Sequence, residues 1–488
     1  MAFTTLKFIR FLCVASAGYF LLPKRARWIW LLLASGYFYA CAGLRYVGYL
    51  LCSAMLCWSY GTYTARLTRM REAGERTQQE AAEKTGRAAA LVIVLHIGGL
   101  IFLRGPGLSF FAFMAIGYCV DVCRGSVTPE RNPLRLALFL GFFPHLMQGP
   151  IDRWDSLAPR LFEGHTFDFE RFRRGLYRIL WGFFEKLVVA DRLAILVNGI
   201  FDAPERWSGL YLAGGVVCYA FQIYADFAGY MDIALGAAEL FGIRLAENFD
   251  TPYYAESILE YWRRWHITLG GWFRDYLYYP LLRSRVVRRF SKRLSTRFGR
   301  KRAGTICTCL ALLVVWLSTG LWHGFSGHYA AWGLYYGVLL VLSAVTAPGV
   351  ERLVKKLRLE RFPSFRKGLA RGRTFGLVLI GYVFFRAESL GRAGEIFRRI
   401  IFCFPRGCNE GHLIELMGRK DLTAAFLGVA VIAFGDLLRS RGDPVGDYFD
   451  SLPAVVRWGF LYAAIAVVLL FGVYGPGYNA ASFLYFQF

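Results

Sequence analysis

Apolar runs of roughly 17–25 residues, the length that carries a helix across a bilayer, recur along the whole of this 488-residue chain. They fall at about 5–22, 28–43, 46–62, 88–103, 107–122, 134–149, 179–200, 208–225, 303–320, 328–347, 374–386, 421–437 and 455–473. Length alone would suggest two or three soluble domains. In hydrocarbon, however, each backbone amide must find its partner within its own segment, so runs of this kind dictate helices. The expected fold is all-α: a single polytopic membrane domain, 1–488, with roughly eleven to thirteen membrane segments. Within it, 1–62 holds the N-terminal spans, 88–347 the core and 374–488 the C-terminal spans. The first run lacks a small-residue cleavage site and is followed by another span, so it reads as a membrane helix and not as a cleaved leader. The 134–149 run carries Pro144, His145, Gln148 and Gly149, with Pro150 just after it, and is expected to be broken or re-entrant.

A net charge of +24 is compatible with a nucleic-acid partner or with a membrane. Its distribution decides, because the basic residues lie in the loops between apolar runs and leave no soluble basic domain to hold nucleic acid. "PKRAR" (23–27) and the Arg/Glu-rich 66–87 are two spans apart, so both fit the cytosolic side with the N-terminus outside. The stretch 283–302 has ten Lys/Arg and no Asp/Glu, and a second basic loop follows at 352–373. Two spans separate these loops, which puts the turn near His323 toward the outer side. The 283–302 stretch reads either as an anchor at anionic lipid or as a docking surface for an acidic carrier or phosphorylated cofactor. The eleven cysteines show no zinc-ligand spacing and sit mostly in apolar runs, as buried thiols do.

Three polar groups interrupt the apolar pattern. "FQIYADFAGYMDIALG" (221–236) places Gln222, Asp226 and Asp232 in a helical context, where a carboxylate either pairs with a neighbouring helix or faces a cavity. "ESILEYWRRWHITLGGWFRDYLYYPL" (256–281) interleaves aromatics with Arg263, Arg264, His266, Arg274 and Asp275. That mixture suits a helix lying in the membrane plane, weakened at Gly270–Gly271. In "GLWHGFSGHYAAWG" (320–333), glycines at 320, 324 and 327 favour a turn or a close backbone approach around His323 and His328 over a regular helix. Desolvation keeps an imidazole neutral, and a neutral imidazole can accept a proton from a hydroxyl. A metal would need three or more ligands, which the local sequence does not supply. The residues by themselves leave His323 open as a general base, a packed structural histidine or a ligand contact, and His266 as a satisfied interfacial histidine or a functional one.

Six stretches together carry a resemblance. "FFPHLMQGPIDR" (142–153), "QIYADFAGYMDIALGAAELFGIRLAENFDTPY" (222–253), "YWRRWHITLGGWFRDYLYYPL" (261–281), "GLWHG…WGLYYG" (320–337), "YVFFRA" (382–387) and "FLYFQF" (483–488) resemble the bacterial membrane-bound O-acyltransferase (MBOAT) family. The branch is that of alginate O-acetylation and teichoic-acid D-alanylation proteins. The resemblance implies the MBOAT fold, a ring of membrane helices with re-entrant and in-plane segments around a thinned centre and its tunnel. It implies that 88–347 is the catalytic core, that His323 corresponds to the family's invariant histidine, acting as general base, and that His266 is the second catalytic position. His266 or tryptophan N–H groups would then stabilise the oxyanion. Trp322, Trp265, Arg264, Asp226, Gln222, Arg274 and Asp275 are candidates for lining the substrate path.

The implied chemistry passes an acyl group from a cytosolic thioester, acetyl-CoA or an acyl carrier protein, to a hydroxyl. No bound cofactor and no metal are expected. The expected acceptor is an exported cell-surface polysaccharide or its partner protein, reached with a separate extracytoplasmic partner from a multi-pass position in the bacterial cell membrane. D-alanyl transfer to teichoic acid is the alternative, and a non-enzymatic transporter or flippase is the reading of another class. Two departures stand out: "LLRSRVVRRFSKRL" replaces a Gly-Gly-Asn stretch, and Tyr336 stands where a second histidine is frequent. His145 and His328 read as packing or cavity-lining residues.

Overall fold

The computed structural model describes residues 1–103, 105–356, 358–404, 411–442 and 445–474. Every regular element among them is helical, and the one β feature is an isolated antiparallel bridge between Phe249 and Trp265. Seven of the helices are long and apolar enough to cross a membrane: Gln78–Phe102, Gly209–Glu239, Arg300–His323, Gly327–Lys356, Pro363–Arg386, Arg419–Arg441 and Ala454–Phe471. The protein is therefore an all-α, multi-pass membrane protein. Other apolar runs form shorter helices, Leu6–Leu21, Arg27–Ala40 and Leu108–Arg124, and Leu44–Glu72 ends in a charged turn. The 134–149 run is broken: the helix Pro133–Gly141 stops at Phe142, one turn follows at Phe143–Leu146, and irregular backbone continues to Arg153. The "FLYFQF" stretch at 483–488 lies outside the described residues.

The chain divides into two compact units, one mainly Met1–Phe183 with Gly229–Glu247 and the other mainly Phe184–Ala228 with Asn248–Tyr478. In the first, the helix Phe169–Phe183 runs close against residues 229–239. A Cβ at Gly175 would stand 2.9 Å from the Gly236 carbonyl oxygen, and one at Gly236 2.6 Å from that of Gly175. Arg178 on that helix bonds Asp232 at 2.8 Å and Glu247 at 2.6 Å. Asp232 is thus held in a helix–helix ion pair, one of the two roles open to it. Asp152 is buried in the irregular stretch, accepts the Ala246 N–H, and is pushed up by burial to about 7.

In the second unit, Arg300–His323 and Gly327–Lys356 form an antiparallel hairpin. Their backbones meet where a Cβ on Gly320 would collide with the Tyr329 carbonyl and one on Gly333 with the Trp316 carbonyl. The hairpin puts Arg300–Arg302 and the end of its second helix at Lys355 and Lys356 on one side and His323 on the other. Within the π-helical turn Phe184–Ala190, Lys186 is buried between Asp226 at 2.6 Å and Asp191 at 2.7 Å.

Candidate active site

The site begins with a short chain crossing in the second unit. Ser257 caps the helix Ile258–Arg264 by accepting the Glu260 N–H at 3.1 Å. After that helix the backbone extends at Trp265 and then turns sharply, because His266 takes φ 47° and ψ 54°. A non-glycine residue in this left-handed region costs roughly 1–2 kcal/mol, and such strain persists only where the surroundings enforce it. Here they do: the Asp250 N–H donates to the Arg264 carbonyl at 2.9 Å and the Ile267 N–H to the Asn248 carbonyl at 3.0 Å, flanking the Phe249–Trp265 bridge. Arg264 adds a bond to Thr251 Oγ1 at 2.8 Å and an ion pair to Glu260 at 2.8 Å. Its guanidinium therefore ties the 248–251 loop to the helix.

The side chain of Asn248 fixes the ring. Its Oδ1 accepts the Thr268 N–H at 3.0 Å and the Thr268 hydroxyl at 3.0 Å, and lies 3.2 Å from His266 Nδ1. A backbone N–H is always a donor, so the amide atom facing it is the oxygen. His266 Nδ1 must then carry the proton. Its Nε2 keeps the lone pair and has no hydrogen-bond partner. With 3% of its surface exposed, His266 is pushed down by burial to about 3 and is neutral at physiological pH. In this form Nε2 can accept a hydrogen bond and cannot donate one.

His323 closes the helix Arg300–His323, and the turn follows it at 324–326. The glycines around it thus mark a close helix contact on one side and a turn on the other. Its ring, 3% exposed, is enclosed edge-on by Trp322 at 4.5 Å between centroids, Phe385 at 4.9 Å and Trp332 at 5.0 Å. Trp322 also stands 6.3 Å from His266. The fold therefore gathers His266, Trp322 and His323, 57 residues apart in sequence, into one aromatic cluster. Phe227 meets His266 edge-on at 4.8 Å. Trp332 turns a buried indole Nε1 that has no hydrogen-bond partner.

The other expected residues are placed differently. Trp265 belongs to an aromatic wall with Phe249 and Tyr261, at 5.1 and 5.8 Å. Asp226 is held in the ion triple with Lys186, and Gln222, one turn earlier, is buried with an unbonded Oε1. Arg274 and Asp275 pair with each other at 2.9 Å in the turn Arg274–Tyr278. Tyr336 sits among Trp262 and Trp316 and donates to the Val378 carbonyl at 3.4 Å. His328 lies beside Ser326 at 3.2 Å, and His145 is fully buried within the first unit. The sequence reading passed over Asn248, Phe227, Trp332 and Phe385. The signal for Asn248 was a lone amide beside Phe249 in "AENFDTPY", eighteen residues before the histidine that it holds.

The sequence pattern of the membrane-bound O-acyltransferase family matches residues 132–360, a range that contains both His266 and His323. A Pseudomonas fluorescens protein named probable alginate O-acetylase AlgI is 33% identical over 458 residues, covering 91% of this chain and 82% of the relative. The Helicobacter pylori peptidoglycan O-acetyltransferase is 27% identical, covering 82% of this chain and 79% of its own. The Streptococcus thermophilus teichoic acid D-alanyltransferase is 27% identical over 57% of this chain and 67% of its own.

Proposed function

The chain belongs to the membrane-bound O-acyltransferase family and is an O-acyltransferase, and on that premise we propose that it moves an acetyl group from a cytosolic thioester to hydroxyls of an exported bacterial cell-surface polysaccharide. Membership of an enzyme family sets the transporter reading aside. The observation that carries the proposal is the buried cluster of His266, Trp322 and His323, two imidazoles in an aromatic shell.

His323 is the general base, as the family resemblance implies. It takes the proton of the acceptor hydroxyl as the oxygen attacks the thioester carbonyl. The tetrahedral intermediate collapses, the C–S bond breaks, and the leaving thiolate takes the proton back from the imidazolium. The products are an ester and a free thiol, and the base returns neutral. A thioester is already activated, so this route calls on no metal. His266, presenting Nε2 as an acceptor, orients the hydroxyl beside it.

The donor, coenzyme A or a carrier protein, approaches the basic end of the 300–356 hairpin, and the acceptor meets the opposite, outer end with help from a separate extracytoplasmic partner. The site is that of a bacterial cell-membrane enzyme. Acetyl is favoured over D-alanyl because relatives named for O-acetyl transfer align over 91% and 82% of this chain, and the D-alanyltransferase over 57%. The test uses purified protein with labelled acetyl-CoA and an acetyl carrier in parallel, scored for thiol release and for label in the polysaccharide. His323→Ala should abolish both signals in protein that still folds. Turnover retained by that variant refutes the assignment of the base.

A further inference from the structure

We propose that Asn248 is a positioning residue that locks His266 as its Nδ1–H tautomer, so that His266 meets the substrate hydroxyl as a hydrogen-bond acceptor through Nε2. This rests on reading the buried histidine cluster as the reacting centre, while the tautomer itself follows from geometry alone. Asn248 is 1% exposed and works with both ends. Its main-chain carbonyl takes the Ile267 N–H at 3.0 Å and so pins the residue after the strained His266. Its side-chain oxygen takes the Thr268 N–H at 3.0 Å, which excludes the flipped amide, because the flip would set NH₂ against N–H. The His266 nitrogen 3.2 Å from that oxygen has one role left, donation. The left-handed backbone at His266 aims Nδ1 at the amide, and the Phe227 ring at 4.8 Å walls the imidazole edge-on.

Two consequences follow. His266 cannot serve as an oxyanion donor in its resting form. The donor must come from another group, and the buried Trp332 indole N–H, on a ring 5.0 Å from His323, has no other partner.

The test reads the tautomer directly. Solid-state NMR of the full chain in lipid, labelled with ¹⁵N-histidine, should show His266 protonated at Nδ1 and bare at Nε2, its signal assigned by loss in His266→Gln. Asn248→Asp keeps an acceptor oxygen and should keep this signature together with most of the turnover. Asn248→Leu removes the acceptor, so Nε2–H should appear and kcat should fall toward the roughly 10⁴-fold loss reached when a catalytic histidine is held in the wrong tautomer. The KM for the thioester should change little, since Asn248 acts through His266 on the acceptor hydroxyl. Nε2–H in the unmodified protein overturns the proposal without recourse to any variant, as does an unchanged tautomer in folded Asn248→Leu. Nδ1–H together with full turnover in His323→Ala would instead leave the tautomer standing and remove the reading of the reaction.

Discussion

Replacing Lys186 by Met removes the cation that pairs with two buried carboxylates, Asp226 at 2.6 Å and Asp191 at 2.7 Å. Lys186 is 2% exposed. As these three groups stand, one positive charge faces two negative ones, so the triple carries a net negative charge. Taking away the lysine leaves two buried carboxylates without the ammonium that pairs with both, and breaking a buried pair in this way costs about 3–5 kcal/mol. Asp226→Asn does the reverse. It leaves Lys186 paired with Asp191 and makes the triple neutral, so its cost should stay near the 1–3 kcal/mol of a lost charged hydrogen bond. The expected order of stability is therefore wild type, Asp226→Asn, then Lys186→Met well below both. Thermal unfolding in a single detergent, followed by intrinsic tryptophan fluorescence, ranks the three. Adding Asp226→Asn to Lys186→Met should recover part of the loss, because the two substitutions share one charge cluster and are not additive. Per folded molecule, Asp226→Asn should retain thioester turnover, since its carboxylate is engaged by lysine. Equal stability of Lys186→Met and Asp226→Asn would refute the charge argument, and a folded but inactive Asp226→Asn would return Asp226 to the substrate path.

Two further perturbations test the chemistry and the packing. Trp332→Phe keeps an aromatic ring against His323 and deletes the unbonded indole N–H; if that group stabilises the oxyanion, kcat should fall about 10²–10³-fold with little change in unfolding temperature, and an unaltered kcat rules the group out. Asp152→Asn should change stability in a pH-dependent way, because a carboxyl raised to about 7 holds its proton in the folded protein from pH 3.8 to about 7 while the unfolded chain has released it. Wild-type stability must then fall as pH rises through that window, so the variant should match wild type near pH 4 and exceed it at pH 8, by up to about 4 kcal/mol at roughly 1.4 kcal/mol for each unit; parallel pH profiles would refute the raised carboxyl.

What the sequence made legible, and what it hid, divides along one physical line. Apolar length is a local property, so the helices appear where the runs predict them. Pairing across the fold is not local, and one misplaced boundary shows it. The 208–225 run was cut short before two carboxylates, yet the helix continues to Glu239. It can do so because Lys186 and Arg178, 40 and 54 residues earlier, neutralise Asp226 and Asp232. The glycines near His323 leave a turn and a close backbone approach both open. Gly320 marks the close approach, to a neighbouring helix at Gly333, while the helix runs through His323 itself before the turn. The same limit governs the site. Motifs single out His266 and His323 as residues but cannot say which nitrogen of His266 holds the proton. That is decided by an amide eighteen positions away, whose orientation is in turn fixed by the backbone N–H of Thr268. A buried histidine of this kind is therefore specified in two stages: the sequence names the imidazole, and the loop that crosses behind it fixes its tautomer.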